Sequence, residues 1–192
     1  AVVGENGAGK TTLVNLLAKM YEPSAGAITV DGTSLARIRA DEWRARLSRA
    51  FQDFFRFGFT AQRTIGVGDV PRVDDGAAAG VAVARAGAGD VIARLPSGLT
   101  TQLGPTWPGG VDVSFGQWQK LALARGFMRE QPLLLILDEP TAALDAETEH
   151  ALFERYAAAA RNPEDQKNGR ITILVSHRFS TVRMADLIVV LD

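Results

Sequence analysis

Lys10 closes the run Gly4-Glu5-Asn6-Gly7-Ala8-Gly9 and is followed by Thr11 and Thr12. A glycine, four residues, then Gly-Lys-Thr lets the backbone wrap a phosphate with its N–H groups pointing inward. The lysine reaches the β- and γ-phosphates, and the Thr11 hydroxyl is offered to magnesium. This chemistry needs a strand before the loop and a helix after it, because the helix N-terminus adds partial positive charge to the anion site. Ala1-Val2-Val3 reads as the end of a buried strand. Thr12 to Met20 reads as a helix with Leu13, Leu16, Leu17 and Met20 on one face, ended by Pro23-Ser24-Ala25-Gly26.

A second chemical group lies far along the chain, where the apolar run Leu133 to Leu137 ends in Asp138 and Glu139. In an open α/β sheet, ligands sit at the carboxyl ends of strands, so this pair is expected to face the same crevice as Lys10. Asp138 is then placed to hold Mg²⁺, directly or through water, and Glu139 to polarise an attacking water. Taken alone, two acids after a core strand are equally a solvated turn.

The elements that must position these groups can be read from pattern. Leu133 to Leu137, Ile171 to Val175 and Leu187 to Leu191 are apolar without alternation, as expected of parallel strands covered by helices on both faces. The spacing predicts a helix over Ala146 to Ala160 between them, and strands separated by helices imply a parallel α/β sheet with right-handed crossovers. Ala27 to Val30, closed by an Asp31-Gly32 turn, reads as a strand of an antiparallel side sheet, with Asp41 to Ser48 helical. Ala77 to Ala93 reads as helices weakened by Gly80, Gly87 and Gly89, forming a separate lobe. Gly98 to Asp112 is loop, and a helix starts at Ser114.

Five motifs in order make a family resemblance. Val113-Ser114-Phe115-Gly116-Gln117 resembles the signature of ABC-type ATPases, usually Leu-Ser-Gly-Gly-Gln, and Trp118 to Arg125 continues the likeness. Asp138 to Asp145 resembles the Walker B strand running into the D-loop, Ser176-His177-Arg178 the switch-histidine segment, and Gln52, at the end of a short strand, the Q-loop glutamine. The resemblance implies a P-loop NTPase of the α/β class: a mostly parallel sheet flanked by helices, an antiparallel β side sheet and an α-helical signature subdomain. It implies one domain over 1–192, with a core from 1–55 and 131–192 and a helical subdomain over 56–130.

The resemblance also assigns roles. ATP and Mg²⁺ are the implied cofactors. Gly4, Glu5, Asn6, Gly7, Ala8, Gly9, Lys10, Thr11 and Thr12 would cradle the phosphates; Thr11, Gln52 and Asp138 would meet the metal; Glu139, His177, Lys10 and Gln52 would serve catalysis. Ser114, Gly116 and Gln117 would close over the γ-phosphate held by a second ABC ATPase domain, with Asp145 at that junction, so that two domains sandwich two ATP molecules head to tail. Read from its residues alone, Ser114 to Gln117 is an ordinary helix cap, His177 a helix-start or core histidine and Gln52 a surface glutamine. Phe115 departs from the pattern, where the family has glycine, and is expected to crowd the helix N-terminus.

Leu95 to Gly104 and Gly110 to Ser114 resemble the stretch before the signature in exporters, with Pro105-Thr106-Trp107-Pro108 in place of its charged residues. That favours an exporter motor on the cytoplasmic side of the membrane, with a transmembrane domain, fused or separate, as partner. An importer subunit, or a soluble relative acting on ribosomes or nucleic acid, is the alternative. The Phe51 to Phe57 aromatic cluster reads either as a groove for that partner or as core. Too few residues, and no heptads, separate Lys10 from Ser114 to accommodate the long coiled coil of chromosome-maintenance relatives.

Composition limits the rest. With 21 Lys+Arg against 22 Asp+Glu, no global basic field draws in nucleic acid, and none is expected as partner. No cysteine is present, which excludes disulfides and thiolate sites. No apolar run approaches the roughly 20 residues of a spanning helix, and no secretory leader pattern opens the sequence. By the resemblance, strands carrying an adenine-stacking aromatic are expected ahead of Ala1 and a further subdomain beyond Asp192.

Overall fold

The computed structural model describes residues 1–51, 53–139, 154, 169–176 and 182–192. Among these, five parallel strands form one sheet in the order β4-β5-β6-β1-β7: β1 (Val2–Gly4), β4 (Leu47–Ala50), β5 (Leu134–Asp138), β6 (Ile171–Val175) and β7 (Val189–Leu191). β5 pairs in register with both neighbours, Leu134 opposite Leu47 and Ile171, and Asp138 opposite Val175. Because all five run the same way, Gly4, Ala50, Asp138 and Val175 end along one edge of the sheet.

The apolar run of β5 is continuous because each of its faces serves a different core. Leu134 and Ile136 pack with Val14 and Ala18 of the first helix region and with Trp43. Leu135 and Leu137 pack with Leu121, Leu123, Phe127 and Met128. Strand periodicity of two divides the residues between the layers, and neither face is left for water.

α1 (Lys10–Leu17) leaves the loop after β1 and buries Val14, with Ala18 buried just beyond its end. This shifts the expected buried face: Leu13, Leu16 and Leu17 are partly covered, while Met20 lies past the helix and is exposed. The chain turns early because Lys19 adopts a left-handed conformation and its ammonium is held by carbonyls of 35–38. α2 (Ala40–Ala45) is shorter than the expected helix, for Leu47 and Ser48 belong to strand β4. Trp43 Nε1 donates to Leu17 O at 2.7 Å and fixes α2 against α1.

β2 (Thr29–Val30) and β3 (Thr33–Ser34) form the antiparallel side pair. Asp31 and Gly32 between them both have positive φ, which matches the right-handed strand twist of a tight hairpin.

Residues 61–126 carry α3 (Ala61–Gly66), α4 (Gly76–Arg85), α5 (Gly89–Arg94) and α6 (Phe115–Gly126). Thr60 and Asp75 cap α3 and α4 by accepting from Arg63 N and Ala78 N. α4 packs through Ala78, Ala79, Ala82 and Val83, small residues that let it lie close to its neighbours. The stretch before α6 is loop apart from a single 3-10 turn and two isolated bridges.

The outer strand differs from expectation. Leu187 is 72% and Val190 64% exposed, since β7 pairs with β1 alone among the described strands. The expected helix over 146–160 lies outside the described residues. No described helix is long and apolar enough to cross a membrane.

Candidate functional site

The loop between β1 and α1 is shaped by its glycines. Gly9, the residue before α1, has φ +88, a conformation that side chains rarely take, and Leu13 N then donates to its carbonyl at 2.8 Å. Gly4 has a steric reason as well: a Cβ there would come within 2.3 Å of Leu191 O, so the β1–β7 pairing itself requires glycine. Glu5, Asn6, Gly7, Ala8 and Gly9 line an open depression of about 620 Å³, with Asp192 at its rim. Thr11 and Thr12 are exposed beside it. Lys10 Nζ donates to Gly4 O and Glu5 O, both at 2.8 Å, and so lies folded across the loop.

Asp138 ends β5 with its side chain 9% exposed. Burial pushes its carboxyl above the ordinary carboxylate range, Arg49 and Lys10 pull it down, and Glu139 and Asp53 push it up. The parallel topology sets the end of β1, which leads into the loop carrying Lys10, and the end of β5 at Asp138 along the same edge of the sheet. Glu139 has φ +43, which for a side-chain-bearing residue costs about 1–2 kcal/mol. The turn is fixed by Glu139 N donating to Val175 O at 3.0 Å. Strained backbone of this kind concentrates where a side chain must be aimed.

The signature-like segment is a complete capping box: Gln117 N donates to Ser114 Oγ at 3.3 Å and Ser114 N to Gln117 Oε1 at 2.7 Å. No hydrogen bond or ion pair joins Ser114, Gly116 or Gln117 to the loop between β1 and α1 among the described residues. Phe115 does not crowd it. Its ring, half exposed, turns onto Phe54 at 5.5 Å with the Arg56 guanidinium 5.3 Å away, and the cap forms unhindered. Ser114→Ala is expected to cost about 1 kcal/mol by loss of the cap, read from the urea midpoint.

The aromatic segment before α3 is divided: Phe54 packs against the core, while its neighbours form an exposed ridge. Phe51, Phe55 and Phe59 are exposed, Phe57 stacks on Phe59 at 5.5 Å, and Trp107 and Phe115 add to the exposed apolar surface. Arg125 of α6 holds the ridge from beneath by donating to Phe55 O, and burial draws its guanidinium down to about 10.

Gln52, Asp145 and His177 lie outside the described residues. Two groups that the sequence reading passed over belong to the site: Arg49, which approaches Asp138, and Asn15 of α1, which accepts from it at 2.8 Å. The signal was an arginine in the short strand that leads to Gln52, whose first residues, Leu47 and Ser48, read as the tail of a helix.

The sequence was compared with known families and structures. The model of the ABC transporter family matches residues 1–142. The chain belongs to the ABC transporter family. An ATP-dependent lipid A-core flippase of Pseudomonas fluorescens is 42% identical over the whole chain, and one of Burkholderia orbicola is 38% identical. The chain spans 30% of the length of each of these relatives. Among solved structures, a bacterial Atm1-family ABC exporter with ATP bound superposes over the whole chain with a TM-score of 0.84 at 36% identity, the match taking in 31% of that protein. The parallel sheet, its flanking helices and the small antiparallel pair are those of the ABC P-loop NTPase fold.

Proposed function

We propose that this chain binds ATP with Mg²⁺ and hydrolyses it as the motor domain of a membrane exporter. The observation that carries the reading is that the glycine-shaped loop leading to Lys10 and the strand end Asp138-Glu139 both leave the carboxyl edge of one parallel sheet. Exporter is favoured over importer or soluble relative because the similar proteins are named flippases and an exporter.

The loop backbone and Lys10 hold the phosphate chain, and Thr12 lies at its edge. Thr11 and Asp138 offer a hydroxyl and a carboxylate, hard oxygen donors that suit Mg²⁺, an ion that keeps most of its shell as water and substrate phosphate. Bound there, Mg²⁺ supplies neutralisation of phosphate charge. Glu139 polarises the attacking water, held at its angle by the Val175 contact. Gln52 and His177 complete the site in this reading, touching the metal and the γ-phosphate. Ser114, Gly116 and Gln117 present hydroxyl and backbone donors at a helix N-terminus to the ATP of a second such domain, with Asp145 at the junction. The division into a core (1–55, 131–192) and a helical subdomain (56–130) follows from the same reading.

A transmembrane domain, fused or separate, is the proposed second partner, set on the exposed ridge around Phe55 from the cytoplasmic side. The test is phosphate release by the intact protein in lipid vesicles. Expected is Mg²⁺-dependent release saturating in ATP, on the order of 1–10² per second. Release that is absent with and without Mg²⁺ overturns the reading.

A further inference from the structure

Arg49 lies in β4 between buried residues on both sides, and its side chain is itself 9% exposed. A buried cation costs several kcal/mol unless well paired. This one is held firmly but paired loosely. Nη1 donates to Asn15 Oδ1 at 2.8 Å, the guanidinium lies 3.6 Å over the Phe51 ring, and Nε is buried with no hydrogen-bond partner among the described residues. Toward Asp138 the contact is only Nη2 to Oδ2 at 3.9 Å. Elements α1 and β4, with the residue after β4, thus fix a positive charge beside the Asp138 carboxylate without closing on it. The other charges that bear on that carboxylate are Glu139, Asp53 and Lys10.

We propose that Arg49 is a built-in counter-cation of Asp138, which screens that carboxylate from the nucleotide's phosphates and competes with the divalent ion at the same group. This rests on the ATP-binding reading above. Its consequence is that nucleotide binding depends less on Mg²⁺ than it would with a neutral residue at position 49. Without Arg49, the bare Asp138 repels a metal-free triphosphate more and attracts Mg²⁺ more, so the two affinities move apart.

The test titrates the intact protein with trinitrophenyl-ATP, once with excess Mg²⁺ and once with EDTA, and compares the two dissociation constants. Arg49→Met keeps the stem over Phe51, and replacing a loosely paired buried ion by an apolar chain is often neutral for stability. Arg49→Met is expected to raise the ratio of the EDTA constant to the Mg²⁺ constant at least about fivefold. Arg49→Lys, which restores a charge, returns the ratio to within about twofold of the parent. Should Arg49→Met fail to fold, as read from its urea midpoint, Arg49→Gln carries the same expectation. A merely structural arginine would weaken both arms equally, and an unchanged ratio in the neutral variants overturns the proposal while leaving ATP binding in place. A parent protein that binds the probe in neither arm overturns the ATP reading, and this proposal with it.

Discussion

Replacing Glu139 with glutamine is expected to leave ATP bound and to lower its turnover by roughly 10² to 10⁴, the range a positioned general base supplies. The substitution is close to isosteric, so it isolates the chemistry. Glutamine takes the same left-handed backbone at φ +43 at similar cost, and its N–H still donates to Val175 O at 3.0 Å. Asp138 next to it keeps its place at the end of β5, so nucleotide and metal affinity should change little. What is lost is the acceptor that polarises water. The measurement is single-turnover hydrolysis beside equilibrium binding of the same nucleotide by the intact protein. A rate within threefold of the parent, with binding intact, would remove Glu139 from the mechanism.

The parts of this site that were legible in the sequence are those where one local rule decides the structure. Leu133 to Leu137 reads as a two-faced buried strand, and β5 follows it closely, from Leu134 to Asp138, with the acids at its carboxyl end. The glycines before Lys10 specify a loop because Gly9 needs a backbone that other residues resist and Gly4 abuts the Leu191 carbonyl. Ser114 and Gln117 announce a helix start by their spacing, and the capping box formed as that spacing requires.

What was not legible depends on packing between distant segments. A short strand before Gln52 was legible, but the start of β4 was hidden because Leu47 and Ser48 continue a helical pattern, and only pairing with β5 turns them into strand. Arg49 could not be placed beside Asp138 until that register was known. Met20 fell off its helix because Lys19 turns the chain toward carbonyls some 16 to 19 residues later. Phe115 found an aromatic partner in Phe54, far from it in the chain, which no helix-cap rule contains. Strand burial at β7 likewise depends on neighbours rather than on composition: its residues are as apolar as those of β5, yet Val189 and Val190 are exposed.

Lys10→Met should produce the second large effect, a loss of roughly 10² to 10³ in ATP hydrolysis, comparable to removing one preorganised donor from a developing charge. The ammonium has two sets of partners. In the structure it donates to Gly4 O and Glu5 O at 2.8 Å each, bonds that fold the side chain across the loop. Engaging phosphate exchanges neutral acceptors for an anion, which adds ion–ion attraction to bonds the ammonium already assists, so the exchange favours the bound state. Both carbonyls sit at or near the surface of the loop, where water replaces the lost donor. The cost to folding should therefore stay near 1 kcal/mol, read from the urea midpoint without nucleotide. Lys10→Arg is expected to restore little, because a planar fork is larger and less adaptable than a point charge in a loop shaped around an ammonium. The contrast to look for is a nearly unchanged unfolding curve beside a collapsed rate. A Lys10→Met protein that unfolds several kcal/mol more easily would instead make the lysine a strut of the loop.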